Sequence, residues 1–293
     1  MSNTSTSSAK RGSRFGSGVH WENWSKRCVN DSCDTSPLKS VFRGKGIRLF
    51  EDWACSSECL EYELRSRFAG LSGTMRPAEP PRPARVPLGL MLFSRGYLSE
   101  DQFRTALETH RTYGGRVGDI ALQFGFVNEE QVAAALAAQW GYPVYSFKNA
   151  PAQLPLMVPI HLMELHQMLP VQFLDDGRKL LVGFATRVEH GVLQGIEKML
   201  GCVAAPCFVT AGDFRSRMQT LSGMRSDCEF VFAECSHYEM AQIVKSYALE
   251  NAAESITFAL CREYLWVRAT SPDKHIDLLF KVALPQPLEP SSR

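Results

Sequence analysis

Four cysteines near the start of the chain have the spacing of metal ligands. Cys28-x4-Cys33 forms one pair and Cys55-x3-Cys59 the other. Four thiolates close a tetrahedral site and leave no coordination position open, so the metal they predict is a structural zinc ion. Between the pairs runs KSVFRGKGIRLF, where Gly44 and Gly46 mark a hairpin turn between two short apolar strands. WACSSECLEYELRSRF follows and reads as the start of a helix carrying Cys55 and Cys59. Its few core residues are Phe42, Ile47, Leu49, Trp53, Leu60 and Leu64, and so short a unit needs a metal to fold. The alternative is four unrelated buried cysteines, because both gaps exceed the commonest two-residue spacing. His20 reads as a surface histidine.

No other cluster has catalytic spacing. The seven histidines are scattered, and His161 and His166 flank an apolar helix as a polar edge. The sequence has no G-x-x-x-x-G-K-[ST], no G-x-S-x-G and no H-E-x-x-H. Gly44-Lys45 is the only Gly-Lys pair, and it falls inside the zinc hairpin. The expectation is a protein that is not an enzyme.

The longest signal is an internal repeat. Residues 87–110, PLGLMLFSRGYLSEDQFRTALETH, recur as residues 116–139, RVGDIALQFGFVNEEQVAAALAAQ. Gly89 and Gly96 match Gly118 and Gly125, and Glu100, Gln102, Ala106 and Leu107 match Glu129, Gln131, Ala135 and Leu136. Such a repeat is one supersecondary unit used twice. Each copy predicts a short apolar helix ending at a left-handed glycine, then a capping signal, then a second helix. The capping signals are Ser99-x-x-Gln102 and Asn128-x-x-Gln131. Gly141 and Pro143 end the second copy.

This doubled pattern resembles the MshEN domain, the N-terminal domain of bacterial type II secretion and type IV pilus ATPases. That family carries two RLG…L…L…Q motifs joined by a spacer of this length. The resemblance implies cyclic di-GMP as a ligand, each motif holding about half of it. It implies that Arg116 grips a guanine edge or a phosphate, and that Gln139 closes the motif. Gly89 and Gly118 would let backbone amides approach the ligand, and Leu88, Leu92, Val117 and Ala121 would lie beside the bases. The first copy departs from the pattern, with Pro87 in place of arginine and His110 in place of glutamine. Arg85 is the candidate substitute for the missing charge. The alternative is a helical platform for protein contacts that no longer binds nucleotide.

The fold class expected is α+β and multidomain. Residues 1–19 form a polar tail and residues 20–69 the four-cysteine zinc-binding module, whose knuckle, hairpin and helix resemble a treble-clef zinc finger. Residues 70–86 form a linker with prolines at 77, 80, 81 and 83. Residues 87–222 form the MshEN-like domain, a helical repeat followed by an α/β segment. There, residues 156–168 are amphipathic, residues 169–175 and 179–184 are strands joined at Asp176-Gly177, and residues 188–200 are a helix. Residues 203–209 form a strand, and Asp213 caps a last helix. Cys202 and Cys207 read as core residues. Residues 226–284 form a small α/β domain, and residues 285–293 a tail. The run AQIVKSYALENAAESITFALCREYLWVRA resembles the α/β domain linking MshEN to the motor, without that domain's strand rich in acidic and histidine residues.

Composition bounds the partners. The chain has 293 residues, 45% of them hydrophobic, and a formal charge of +1, so no global field favours nucleic acid. No stretch has the apolar length of a membrane span, and the first 18 residues lack a signal peptide's apolar block. The expectation is a cytoplasmic adaptor whose nine cysteines stay reduced and whose partners belong to secretion or pilus machinery.

Overall fold

The computed structural model describes residues 27–33, 46–73, 85–149, 157–222 and 228–282. The tails, the Pro-rich linker, Phe42 and most of the Gly44–Gly46 turn lie outside the described residues. Strands β1 (Ile47–Leu49) and β2 (Asp52–Ala54) pair antiparallel, turning at Phe50 with φ +56°. Gly46 is required beside them, since a Cβ there would lie 2.4 Å from the Trp53 ring and from the Ala54 carbonyl oxygen. Helix α1 (Ser57–Gly73) buries Leu60, Leu64 and Phe68, four residues apart on one face.

The repeat folds as two helix pairs. These are α2 (Leu88–Ser94) with α3 (Glu100–Tyr113), and α4 (Val117–Gln123) with α5 (Glu129–Trp140). Gly96 and Gly125 end the short helices at φ +70° and +67°. Ser99 with Gln102, and Asn128 with Gln131, form complete capping boxes at the starts of α3 and α5. Leu92, Leu98, Ala121, Val127 and Ala135 fill the core between the copies.

An α/β unit follows. Helix α6 (Ile160–His166) is shorter than residues 156–168 and starts after Pro159. Strands β3 (Met168–Leu174) and β4 (Lys179–Phe184) pair antiparallel, and helix α7 (His190–Leu200) crosses over to β5 (Val203–Phe208), parallel to β4. Asp175, Asp176 and Gly177 all take positive φ in the β3–β4 turn. Helix α8 (Ala211–Ser222) is capped by Thr210, not by Asp213. The Thr210 hydroxyl accepts from the Asp213 amide at 3.0 Å, which makes Asp213 the third helical residue.

The last elements are β6 (Glu229–Phe232), α9 (His237–Glu250), β7 (Ser255–Cys261), β8 (Tyr264–Thr270) and β9 (His275–Lys281). They do not stand apart from the cysteine module. One sheet runs β2-β1-β7-β8-β9-β6, with β1 parallel to β7 and Leu49 opposite Ile256. The two segments expected as separate modules therefore share a sheet and a core. A hairpin of two three-residue strands buries too little by itself and here completes a larger sheet's edge. Alternation along the strands divides the burial. Ile256, Phe258, Leu265, Val267 and Leu278 face α1 and α9, while Ala259, Cys261, Trp266 and Leu279 join the core of the α/β unit. Among the described residues, no helix is long and apolar enough to cross a membrane.

Candidate functional site

The four cysteines converge. Cys28 bridges to Trp53 on β2, and the Cys33 amide donates to the Asn30 carbonyl at 3.0 Å, which makes the knuckle. Cys55 precedes α1 and Cys59 lies in its first turn, where the Cys59 amide donates to the Ser56 hydroxyl at 3.3 Å. All four sulfurs lie within 4.8 Å of one another. Cys33 Sγ is 3.5 Å from Cys55 Sγ, which is 3.7 Å from Cys59 Sγ. A tetrahedral zinc ion with bonds of about 2.3 Å holds its sulfurs roughly 3.8 Å apart, so the spacing fits such an ion. Burial raises the Cys28 thiol and pushes Cys59 up to about 12, with neighbouring thiols adding to the rise at Cys59. Such thiols hold their protons at neutral pH, so a bound cation is what would make them thiolates. The Asn30 amide reaches Cys59 Sγ at 3.6 Å and would support the sulfur from outside the ligand set.

The repeat residues meet at a cleft of about 250 Å³. Leu88, Arg116, Gly118, Asp119, Gln139 and Trp140 line it from the repeat, and Ala185, Thr186 and Arg187 from the segment after β4. An adjoining cleft of about 230 Å³ shares Arg116 and Asp119 and runs to Glu129, Phe214 and Arg215. Arg116 precedes α4 with extended backbone and is exposed. Gln139 donates to the Val86 carbonyl at 2.6 Å, tying the end of α5 to the entry of α2. Arg85 lies beside the cleft, its guanidinium 3.2 Å above the Trp140 ring. Glu129 pairs with Arg215 and accepts from the Gly212 amide, which fastens the repeat to α8.

Gly89 and Gly118 also have a packing role. A Cβ on Gly118 would lie 2.8 Å from Leu88 Cδ2, and one on Gly89 would lie 2.9 Å from Val117 Cγ1. The copies thus cross reciprocally, each helix seating a side chain over the other's glycine. The space above both glycines is filled by side chains, so Gly89 and Val117 serve helix packing. His110 Nδ1 lies 2.6 Å from the Gly115 carbonyl and closes the first copy's end.

Asp119, Trp140, Thr186 and Arg187 are cleft residues that the repeat alone did not single out. Asp119 had a signal, since it stands three residues after Arg116 on the same helical face. Thr186 and Arg187 had none, because only the fold brings the end of β4 to α4.

No family model matches the sequence. Over 129 residues the chain is 22% identical to the type IV pilus assembly ATPase PilB of Thermus thermophilus, covering 43% of this chain and 14% of that protein. Over 185 residues it is 26% identical to bacteriophage adsorption protein B of Escherichia coli K12, covering 57% of this chain and 23% of that protein. The chain thus spans less than a quarter of the length of these curated relatives. Among solved structures, MshE with cdg aligns with a TM-score of 0.39 at 22% identity, covering 46% of this chain and 99% of that one. The N-terminal domain of XpsE aligns with a TM-score of 0.37 at 14% identity, covering 45% and 91%.

Proposed function

We propose that this chain is a non-catalytic regulatory adaptor of type II secretion or type IV pilus machinery that senses cyclic di-GMP at the Arg116 cleft. The observation that carries the reading is the meeting of Leu88, Arg116, Gly118 and Gln139 on one cleft, with Arg85 stacked on Trp140 beside it. A guanidinium fork matches the O6/N7 edge of guanine or a phosphate, and the Asp119 carboxylate accepts from guanine's N–H groups. Trp140 offers a face for stacking. The four-thiol cluster would hold a structural zinc ion, with no open position for chemistry. The adaptor would act in the cytoplasm, where its thiols stay reduced.

The two copies contribute unequally. Where the second has Arg116 and Asp119, the first has Pro87 and Leu90, and neither can ion-pair or donate to a nucleotide. The same two residues favour the rival reading, a scaffold with degenerate motifs.

Calorimetry with cyclic di-GMP on the full chain separates the two. A charge-assisted bidentate contact contributes on the order of 1–3 kcal/mol. Arg116→Ala should then weaken binding about tenfold to a hundredfold. No heat from wild type at high micromolar ligand would reject the sensor and leave the scaffold. Equal binding by Arg116→Ala would reject this placement of the site.

A further inference from the structure

We infer that Arg187 is the cleft's second anion-binding arginine, and that Glu189 makes its position depend on the C-terminal sheet through Arg262. The inference rests on the reading of the cleft as a site for a phosphate-bearing ligand. It adds a residue outside the repeat and a route by which binding is regulated.

The geometry starts from one carboxylate. Glu189 is 5% exposed and precedes α7. One of its oxygens pairs with Arg187 Nε, and the other with Arg262 Nη1. Arg187 lies on the cleft wall, its side chain 51% exposed. The contact with Glu189 is through Nε, and the guanidinium stands half exposed on the cleft wall. Arg262 belongs to the turn between β7 and β8 and takes φ +58°, a conformation that a non-glycine residue holds only when its surroundings fix it.

The charge balance gives the mechanism. A buried carboxylate is tolerated when its partners are in place, and losing one leaves uncompensated charge. Arg262 Nε also lies 3.5 Å from Glu263 Oε2, so the two carboxylates offset the two arginines, and an anion at Arg187 competes with Glu189 for its guanidinium. A phosphate drawing on Arg187 weakens that residue's hold on Glu189, and Glu189 then leans more strongly on Arg262. Conversely, when the β7–β8 turn is displaced, Glu189 loses its second partner and holds Arg187 more firmly, in competition with the ligand. Ligand affinity and seating of the turn are therefore linked, and the linkage is reciprocal. Arg187 is a ligand residue in this scheme; Glu189 and Arg262 are positioning residues.

The test uses the full chain and two probes, cyclic di-GMP and inorganic pyrophosphate, titrated by calorimetry. Arg187→Ala should weaken binding of both by about tenfold, the loss of one charge-assisted contact. Arg262→Ala lies outside the cleft and should weaken binding by about threefold or more, with Arg262→Lys recovering most of it. A readout without ligand is the arginine Nε–H signal in nitrogen-edited NMR. The Arg187 signal should be protected in wild type, exchange faster in Glu189→Gln, and shift in Arg262→Ala. If Glu189→Gln does not fold, the two Arg262 variants carry this arm. Binding of pyrophosphate but not cyclic di-GMP, with Arg187→Ala weaker, would overturn the dinucleotide reading and support the arginine pair. Binding of cyclic di-GMP with unchanged affinity in Arg187→Ala would overturn the arginine pair and leave the dinucleotide reading. Binding of neither probe would overturn both. An Arg187 signal indifferent to Arg262→Ala would overturn the linkage.

Discussion

Gly195 tests the seam between the α/β unit and the large sheet. It lies midway along α7, and a Cβ there would sit 2.3 Å from Cys261 Sγ, 3.0 Å from the Leu260 carbonyl oxygen and 3.5 Å from Cys261 Cα. Gly195→Ala sets two effects against each other. Alanine improves a helix interior by about 1 kcal/mol. Overpacking costs about 1–3 kcal/mol, and the upper half applies because the obstacles are sheet backbone and a fully buried sulfur. The net expectation is a loss of about 1–2 kcal/mol. Cys261→Ala alone removes one buried atom and should cost about 1 kcal/mol. In the double variant the new methyl enters the space left by the sulfur. Its total loss should then fall below the sum of the single losses by about 1 kcal/mol. The rescue is partial, since the Leu260 carbonyl stays in place. Urea unfolding of the four proteins, with midpoints and slopes compared, closes the cycle. A Gly195→Ala protein as stable as wild type, or strictly additive losses, would refute the close approach of α7 to β7. The seam matters for function because Arg262 follows Cys261 and its partner Glu189 precedes the same helix.

Cys55→Ser should raise amide exchange in β1, β2 and α1 and carry the increase into β7 and α9, because those elements share a sheet and a core. Exchange confined to residues 46–73 would contradict that sharing. His166 and His275 are held below the ordinary histidine range, in both by burial first; neighbouring arginines also lower them, and nearby carboxylates oppose the shift. Depressed values mean that the unfolded chain binds more protons, so their contribution is whole above about pH 6.5 and is lost as pH falls toward the folded values. Thermal unfolding should weaken on acidification through that window, and His166→Leu should flatten the dependence; an unchanged slope would reject the assignment. The purified protein should not hydrolyse ATP or GTP above background, since its sequence has no phosphate-cradling loop with its lysine. Turnover that scales with protein through repurification would overturn the non-enzymatic proposal.

Much of the fold was legible because its determinants are local. The helix starts at Glu100 and Glu129 follow from Ser99 with Gln102 and Asn128 with Gln131, three residues apart. The strands β7 to β9 follow from short, nearly continuous apolar runs rich in β-branched and aromatic residues. The pairing of Leu49 with Ile256 was not legible, because two strands more than two hundred residues apart carry no mutual signal. Thr210 and Asp213 are both capping types, with Asp the better by residue preference, and only the backbone decides between them. The convergence of the four cysteines was legible in their spacing. The cleft was half legible. Arg116 and Gln139 stand at motif positions, whereas Arg187 becomes a neighbour only when β4 is laid beside the repeat.

The asymmetry of the repeat follows from that last point. The copies share a backbone plan, and each seats a side chain over the other's glycine, so symmetry holds where they touch each other. It fails where they face outward. Arg116 and Asp119 line a cleft against the segment after β4, while their counterparts are Pro87 and Leu90, the latter 44% exposed. Charge is therefore placed where a second wall stands beside it and adds Arg187. The proposed binding surface would then belong to the seam between repeat and α/β unit and not to the repeat alone. Glu129 illustrates this. It stands where the first copy has Glu100, which only pairs along its own helix with Arg104, but Glu129 reaches across to Arg215 and the Gly212 amide. Cutting that tie with Glu129→Ala should loosen the seam and weaken ligand binding, whereas Glu100→Ala should leave it unchanged. Equal effects of the two changes would mean that the repeat binds by itself.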